Sequence, residues 1–161
     1  LGDVYKRQIQ NRYHMMYRGY EALFPVLEEL QIGFVAFSPL ANGLLSGAYS
    51  QNSTFSEQGD YRKAMPQFQA DSYEKNRALF SLIQRYAEDK NATSAQISLA
   101  WLICKKPYIV PIPGTRKLGR LTENLGAANV VLTTQEIAEI DKVLIDMEMS
   151  DVFGGAKIVK K

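Results

Sequence analysis

Two segments of this chain carry side chains whose types and spacing suit an anionic ligand. Pro113-Gly114-Thr115-Arg116-Lys117 sets a glycine, a hydroxyl and two cations in a row; Arg120 and then Glu123-Asn124 follow. Where such a segment joins a strand to a helix, free backbone N–H groups and the positive end of the helix dipole add to the cations. The combination suits a phosphate dianion, and Arg116 or Arg120 can stack on an adenine ring. The same residues also describe a solvated basic turn, and spacing alone leaves both readings open. The second segment is Phe37-Ser38-Pro39-Leu40-Ala41-Asn42-Gly43. It offers a hydroxyl, N–H groups and an aromatic ring that can stack on a flat heterocycle. A plain turn behind a core Phe fits it equally well.

The other reactive side chains point to no chemistry. His14 is the single histidine and has no carboxylate in a paired arrangement. Cys104 is the single cysteine; it can form neither an internal disulfide nor a metal site alone. It lies in the apolar run Leu99-Ala100-Trp101-Leu102-Ile103-Cys104 and reads as a small buried helix residue. The carboxylates alternate with Lys and Arg as solvent-facing charge. There is no P-loop and no G-x-G-x-x-G, so a dinucleotide would not be held by the doubly wound fingerprint. The sequence therefore assigns no catalytic residue and no metal ligand.

The elements that must position the two segments follow from periodicity. Leu23, Val26, Leu27 and Leu30 predict a helix from Gly19 to Gln31. Ile32 to Phe37 is short, apolar and rich in strand formers, which predicts a strand buried on both faces. From Tyr49 to Ala70 the chain is polar and aperiodic, a length often functional in a compact domain. Asp71 suits an N-cap, with Leu79, Ile83, Tyr86 and Ala87 on one helix face. Thr93-Ser94-Ala95-Gln96 has the form of a capping box opening a helix that Pro107 stops. Tyr108 to Ile112 predicts a second buried strand, with Pro111 at its end or at a bulge. A helix from Leu118 to Ala127 and another from Thr133, with Glu136 completing a second capping box, finish the pattern. Buried strands alternating with helices imply a parallel α/β sheet, whose working residues lie on loops after the strand C-termini.

Bulk properties bound the rest. The chain has 161 residues, a net charge of +2 and 46% hydrophobic residues, enough for a core. A nearly balanced charge argues against a nucleic-acid footprint or a polybasic membrane anchor. No apolar stretch reaches the roughly 18 to 20 residues that span a bilayer, and none marks a signal peptide. The single cysteine fits a reducing, cytoplasmic compartment. Residues 1–8 fit poorly with the sequence C-terminal to them and read as a non-native leader, leaving 9–161 as the folded portion.

These residues resemble the aldo/keto reductase family. Ile32 to Leu40 followed by Gly43 is similar to its seventh-strand motif, and Asp60, Arg62, Pro66 and Phe68 to the loop after it. Asn76 fits the next family position. Thr93, Ala95-Gln96 and Leu99-Ala100-Trp101 resemble the helix before the last strand. Val110 to Lys117, with Arg120, Glu123-Asn124 and Gly126-Ala127, resembles the eighth-strand cofactor loop and its helix. Gln10-Asn11-Arg12-Tyr13 resembles the sixth-strand motif, with Arg12 where the family often has Glu. The likeness runs from about Gln10 to Leu144.

The resemblance implies the C-terminal portion of a (β/α)8 TIM barrel, incomplete here because a whole barrel takes about 250 residues. It implies an NADP(H)-dependent oxidoreductase that reduces aldehydes or ketones, represented by its cofactor-binding portion. The family's catalytic Tyr, Lys, Asp and His belong to earlier strands and have no counterpart in this chain; His14 does not take the catalytic position. Carried over residue by residue, Gln10 would lie by the nicotinamide carboxamide, and Phe37, where the family usually has Tyr, would stack on the nicotinamide. Ser38, Pro39, Leu40 and Gly43 would line the pyrophosphate. Thr115, Arg116 and Lys117 would hold the 2′-phosphate, Arg120 would stack on or clamp the adenine end, Glu123 and Asn124 would hydrogen-bond the adenine, and Gly114 counts among the cofactor-binding residues. The expected partner is a small carbonyl substrate, with no nucleic acid and no membrane. Phe153-Gly154-Gly155-Ala156-Lys157 departs from the family's usual end. Two other readings stay open: an NADP-binding regulatory subunit of the channel-associated type, and a truncated product. Strands six to eight alone cannot close a barrel, so the chain by itself is expected to be poorly soluble or partly unfolded.

Overall fold

The computed structural model describes residues 7–56 and 60–152. Three parallel strands form one sheet in the order β1 (Gln8–Arg12), β2 (Gly33–Phe37), β3 (Ile109–Pro111). Six α-helices are described with them: α1 (Phe24–Glu29), α2 (Ala70–Lys75), α3 (Arg77–Asp89), α4 (Ser94–Lys105), α5 (Leu118–Gly126) and α6 (Thr134–Asp146). Gln8, placed in the leader by its sequence, is the first residue of β1 and pairs with Gly33. The rest of that segment, up to residue 6, lies outside the described residues, as does Phe153-Gly154-Gly155-Ala156-Lys157.

The helices cover one face of the sheet. Phe34 and Ala36 are 0% exposed, and with Ile109 they join Phe24, Leu27, Trp101 and Leu102 in one core. Tyr13 completes it, stacked on Trp101 at 5.4 Å and edge-on to Phe34 at 5.5 Å. The opposite face carries Gln8, Gln10, Val35, Phe37 and Val110, which share a side by the register Gln10↔Val35↔Val110. Val35 and Phe37 are only half-buried and Val110 is 56% exposed. The expectation of buried strands is thus corrected for both β2 and β3. Among the described residues no second layer covers that face.

α1 is shorter than the spacing predicts. A 3-10 turn over Glu21–Leu23 precedes it, and Pro25 in its first turn fixes its start. Phe24 and Leu27 face the core, whereas Leu23, Val26 and Leu30 of the predicted stripe are exposed. Asp71 is not an N-cap: α2 begins at Ala70 after Gln69, and Asp71 pairs with Lys75 at 3.3 Å. Asn76 interrupts the helical path between α2 and α3, and its fully buried amide bonds Ser150 through both groups, at 2.8 and 2.9 Å.

Other predicted features are present. Both capping boxes form: Gln96 N donates to Thr93 Oγ1 and Glu136 N to Thr133 Oγ1, each at 3.2 Å, with the reciprocal bonds made. Pro111 is the last residue of β3, where its missing N–H costs no ladder bond. Cys104 is half-buried, not enclosed, with Sγ 3.7 Å from the Val130 carbonyl. Among the described residues no helix is long and apolar enough to cross a membrane, and no acidic, His or Cys cluster suits a metal ion.

Candidate functional site

β2 and β3 are parallel neighbours, so the loops that leave their C-terminal ends emerge side by side. The loop after β2 is strained. Ser38, Ala41 and Asn42 have φ of 55°, 48° and 60°, and Gly43 follows at 99°. Non-glycine side chains rarely adopt these values. Local bonds define the turn: Ala41 N donates to the Ser38 carbonyl and Gly43 N to that of Leu40, each at 2.9 Å, and Ser46 Oγ to that of Gly43 at 2.6 Å. The Tyr49 ring stands 3.1 Å from where a Cβ on Gly43 would lie, so this position also requires the absence of a side chain.

The loop after β3 opens onto α5. Lys117 N donates to Thr115 Oγ1 at 3.1 Å, and α5 starts with no side-chain cap. A Cβ on Gly114 would meet nothing within 4 Å, which leaves the backbone open to close approach. α5 is seated against α4 by Gln96, whose amide donates to the Glu123 carbonyl at 3.1 Å; Gly126 leaves room for that amide.

The two loops meet in a cleft of about 350 Å³. Ser38, Pro39, Leu40 and Gly43 line one side and Gly114, Thr115, Arg120 and Asn124 the other. The remaining predicted residues stand outside this lining. Arg116 and Lys117 are exposed on the same basic loop, and Glu123 is half-buried on α5. Gln10 lies on the open face of the sheet, two residues from Arg12, whose guanidinium is 5.5 Å from the Phe37 ring centre. Among the described residues, Arg116, Lys117 and Arg120 form no ion pair.

Asn42, Ser46, Tyr49, Tyr61 and Arg62 also line the cleft and were not singled out as contacts by sequence. Arg62 grips Asp60 with two donors, Nε to Oδ1 at 2.9 Å and Nη2 to Oδ2 at 2.5 Å, and also donates to the Tyr49 hydroxyl. The bonds to Asp60 raise the Arg62 pKa, and the same bonds hold the Asp60 carboxyl below the usual carboxylate range. The Arg62 charge is therefore largely matched by Asp60, unlike that of Arg120 across the cleft. Asn42 belongs to the segment after β2 that its residue types mark, and Arg62 to the loop that resembles the family's; Tyr49 and Tyr61 were signalled only by the length of the aperiodic segment.

His14 is 1% exposed, and its Nδ1 has no hydrogen-bond partner among the described residues. Burial, with the nearby Arg12 charge, pushes its pKa down to about 3. It is a neutral, enclosed side chain. A second hollow of about 480 Å³ lies behind the strained turn, between Leu44, Leu45, Phe80 and Ile83. It contains none of the predicted site residues.

A cleft at the C-terminal ends of adjacent parallel strands, beside a helix start, defines an α/β protein whose loops at the strand exits form its candidate site. The chain belongs to the aldo/keto reductase family, whose model matches residues 6–145. It is 38% identical over 128 residues to aldo-keto reductase str7 of Strobilurus tenacellus, covering 80% of this chain and 38% of that protein. It is 38% identical over 121 residues to aldo-keto reductase yakc [NADP(+)] of Schizosaccharomyces pombe, covering 75% of this chain and 35% of that one. Among solved structures it is similar to the glycerol dehydrogenase AKR11B4 of Gluconobacter oxydans, with a TM-score of 0.75 at 25% identity, over 87% of this chain and 42% of the other. The thermostable aldo-keto reductase Tm1743 gives a TM-score of 0.59 at 26% identity, over 84% and 39%. The chain thus spans little more than a third of the curated relatives it matches.

Proposed function

We propose that this chain is the NADP(H)-holding portion of an aldo/keto reductase, strands six to eight of its (β/α)8 barrel. The whole protein then reduces aldehydes or ketones to alcohols in the cytoplasm. The observation that carries this reading is the convergence of the Ser38–Gly43 turn with Gly114, Thr115 and Arg120 on one cleft, beside the exposed Arg116 and Lys117 of the same basic loop. One relative, from Schizosaccharomyces pombe, bears NADP(+) in its name.

The residues present fit the cofactor. The cleft lies between a turn of strained backbone and a basic helix start, and Gly114 leaves backbone accessible where a phosphate would press. Ser38, Pro39, Leu40 and Gly43 would hold the pyrophosphate by backbone and hydroxyl. Thr115, Arg116 and Lys117 would bind the 2′-phosphate, which favours NADP over NAD because that phosphate needs cations. Arg120 would stack on the adenine, and Glu123 and Asn124 would hydrogen-bond it. Gln10 and Phe37 would orient the nicotinamide on the open face of the sheet. When bound, the cofactor supplies a hydride to the carbonyl carbon. The proton donor belongs to the rest of the protein: His14, with a pKa near 3 and fully enclosed, is no acid for neutral pH.

Titration of NADPH and NADH, followed by nucleotide fluorescence, tests this reading. NADPH should bind much more tightly than NADH, and Arg116→Ala should remove most of the difference, about tenfold or more for a charge-assisted contact. Equal affinities, or an Arg116→Ala variant that keeps the difference, would remove the 2′-phosphate assignment.

A further inference from the structure

The turn after β2 holds Ser38, Ala41 and Asn42 in the left-handed region. Strain of this kind persists where the surroundings over-determine it. Asn42 lines the cleft and is tied from outside the turn, for Gln67 Nε2 donates to its Oδ1 at 3.2 Å across 25 positions of sequence. Gln67 is 0% exposed and lies between Met65 and Phe68, both buried. Its Nε2 is also 3.7 Å from the Met65 sulfur. An amide at such a position costs free energy unless its hydrogen bonds are made, and an apolar side chain would fill the same space. The segment from Asp60 to Phe68 reaches the turn a second time, where Arg62 donates to Tyr49 and the Tyr49 ring packs against Gly43.

We propose that Gln67 is a positioning residue of the cleft. Through Asn42 it holds the left-handed turn in the shape that accepts a phosphate-bearing ligand. The segment from Asp60 to Phe68 then sets the affinity for that ligand through a side chain that does not line the cleft. The proposal rests on the nucleotide reading above only for the identity of the ligand.

A double-substitution cycle with a nucleotide-free control tests it. Gln67→Met keeps the side-chain length and removes the amide. It should weaken NADPH binding about fivefold, the weight of one neutral hydrogen bond. Glycine takes a φ near 60° without strain. Whatever Asn42→Gly does alone, adding Gln67→Met to it should therefore cost less than about twofold. In the absence of nucleotide, Gln67→Met should speed amide exchange across residues 41–45, and Asn42→Gly should abolish that increment. Equal weakening by Gln67→Met in both backgrounds would show that it acts through general packing and overturn the proposal. So would unchanged exchange across 41–45. Should the unsubstituted chain fail to bind NADPH, the nucleotide reading falls, and the exchange experiment alone decides the role of Gln67.

Discussion

The two faces of the sheet are built on opposite principles. Behind it, Phe34, Ala36, Tyr13 and Trp101 are fully enclosed, and the polar atoms at the margin are matched: Trp101 Nε1 donates to Asp141 at 3.0 Å, and Lys105 bridges Asp141 and Glu21 at 2.9 and 2.7 Å. In front, Val110 and Ile112 are exposed, the backbone is strained between Ser38 and Gly43, and the cations of the basic loop form no ion pair among the described residues. Stability is concentrated on the helix-covered side. The strand ends keep strain and uncompensated charge, the properties a ligand site uses and a core eliminates.

The contrast can be tested by substitution, and the largest effect is expected behind the sheet. Trp101→Ala removes a ring with 0% exposure, its stack on Tyr13 and its bond to Asp141. It should lower the unfolding free energy by about 3–5 kcal/mol in urea titration. A loss under 1 kcal/mol would mean the core is not where the packing puts it.

The next effect is a pH dependence. The His14 pKa is about 3 in the fold against an ordinary 6.5, because burial disfavours its charge. The unfolded chain therefore binds a proton that the folded chain refuses. Stability is full above about pH 6.5 and falls below it, by up to roughly 1.4 kcal/mol per unit. His14→Gln should flatten the slope between about pH 6.5 and 5, above the range in which the carboxylates titrate. An identical slope in the variant would place the titrating group elsewhere.

The smallest effect belongs to the front of the sheet. Val110 is 56% exposed, and Val110→Thr should change stability by less than about 0.5 kcal/mol. A loss comparable to that of a core substitution would show that the open face is covered in solution, by other strands or by a second copy.

Local interactions were legible in the sequence, and long-range ones were not. Thr93 with Gln96 and Thr133 with Glu136 could be read because a capping box is complete within four residues. Pro111 marked either the end of β3 or a bulge, and the residue types at the exit of each strand marked the two halves of the cleft. The half-open state of Val35 and Phe37 could not, because it depends on how many strands curl over them. Tyr49, Tyr61 and Arg62 reach the cleft through an aperiodic segment, so no spacing marked them. The positive φ of Ser38 and Ala41 goes against the usual preference of both residue types, and only the packing round the turn accounts for it.

The central claim is that the turn after β2 and the loop after β3 form one nucleotide cleft. Amide hydrogen exchange of the chain with and without NADPH tests it most directly. The prediction is simultaneous protection across 38–46 and 114–124, with α3 and α6 unchanged. Protection confined to the basic loop, or absent from both segments, would contradict the account.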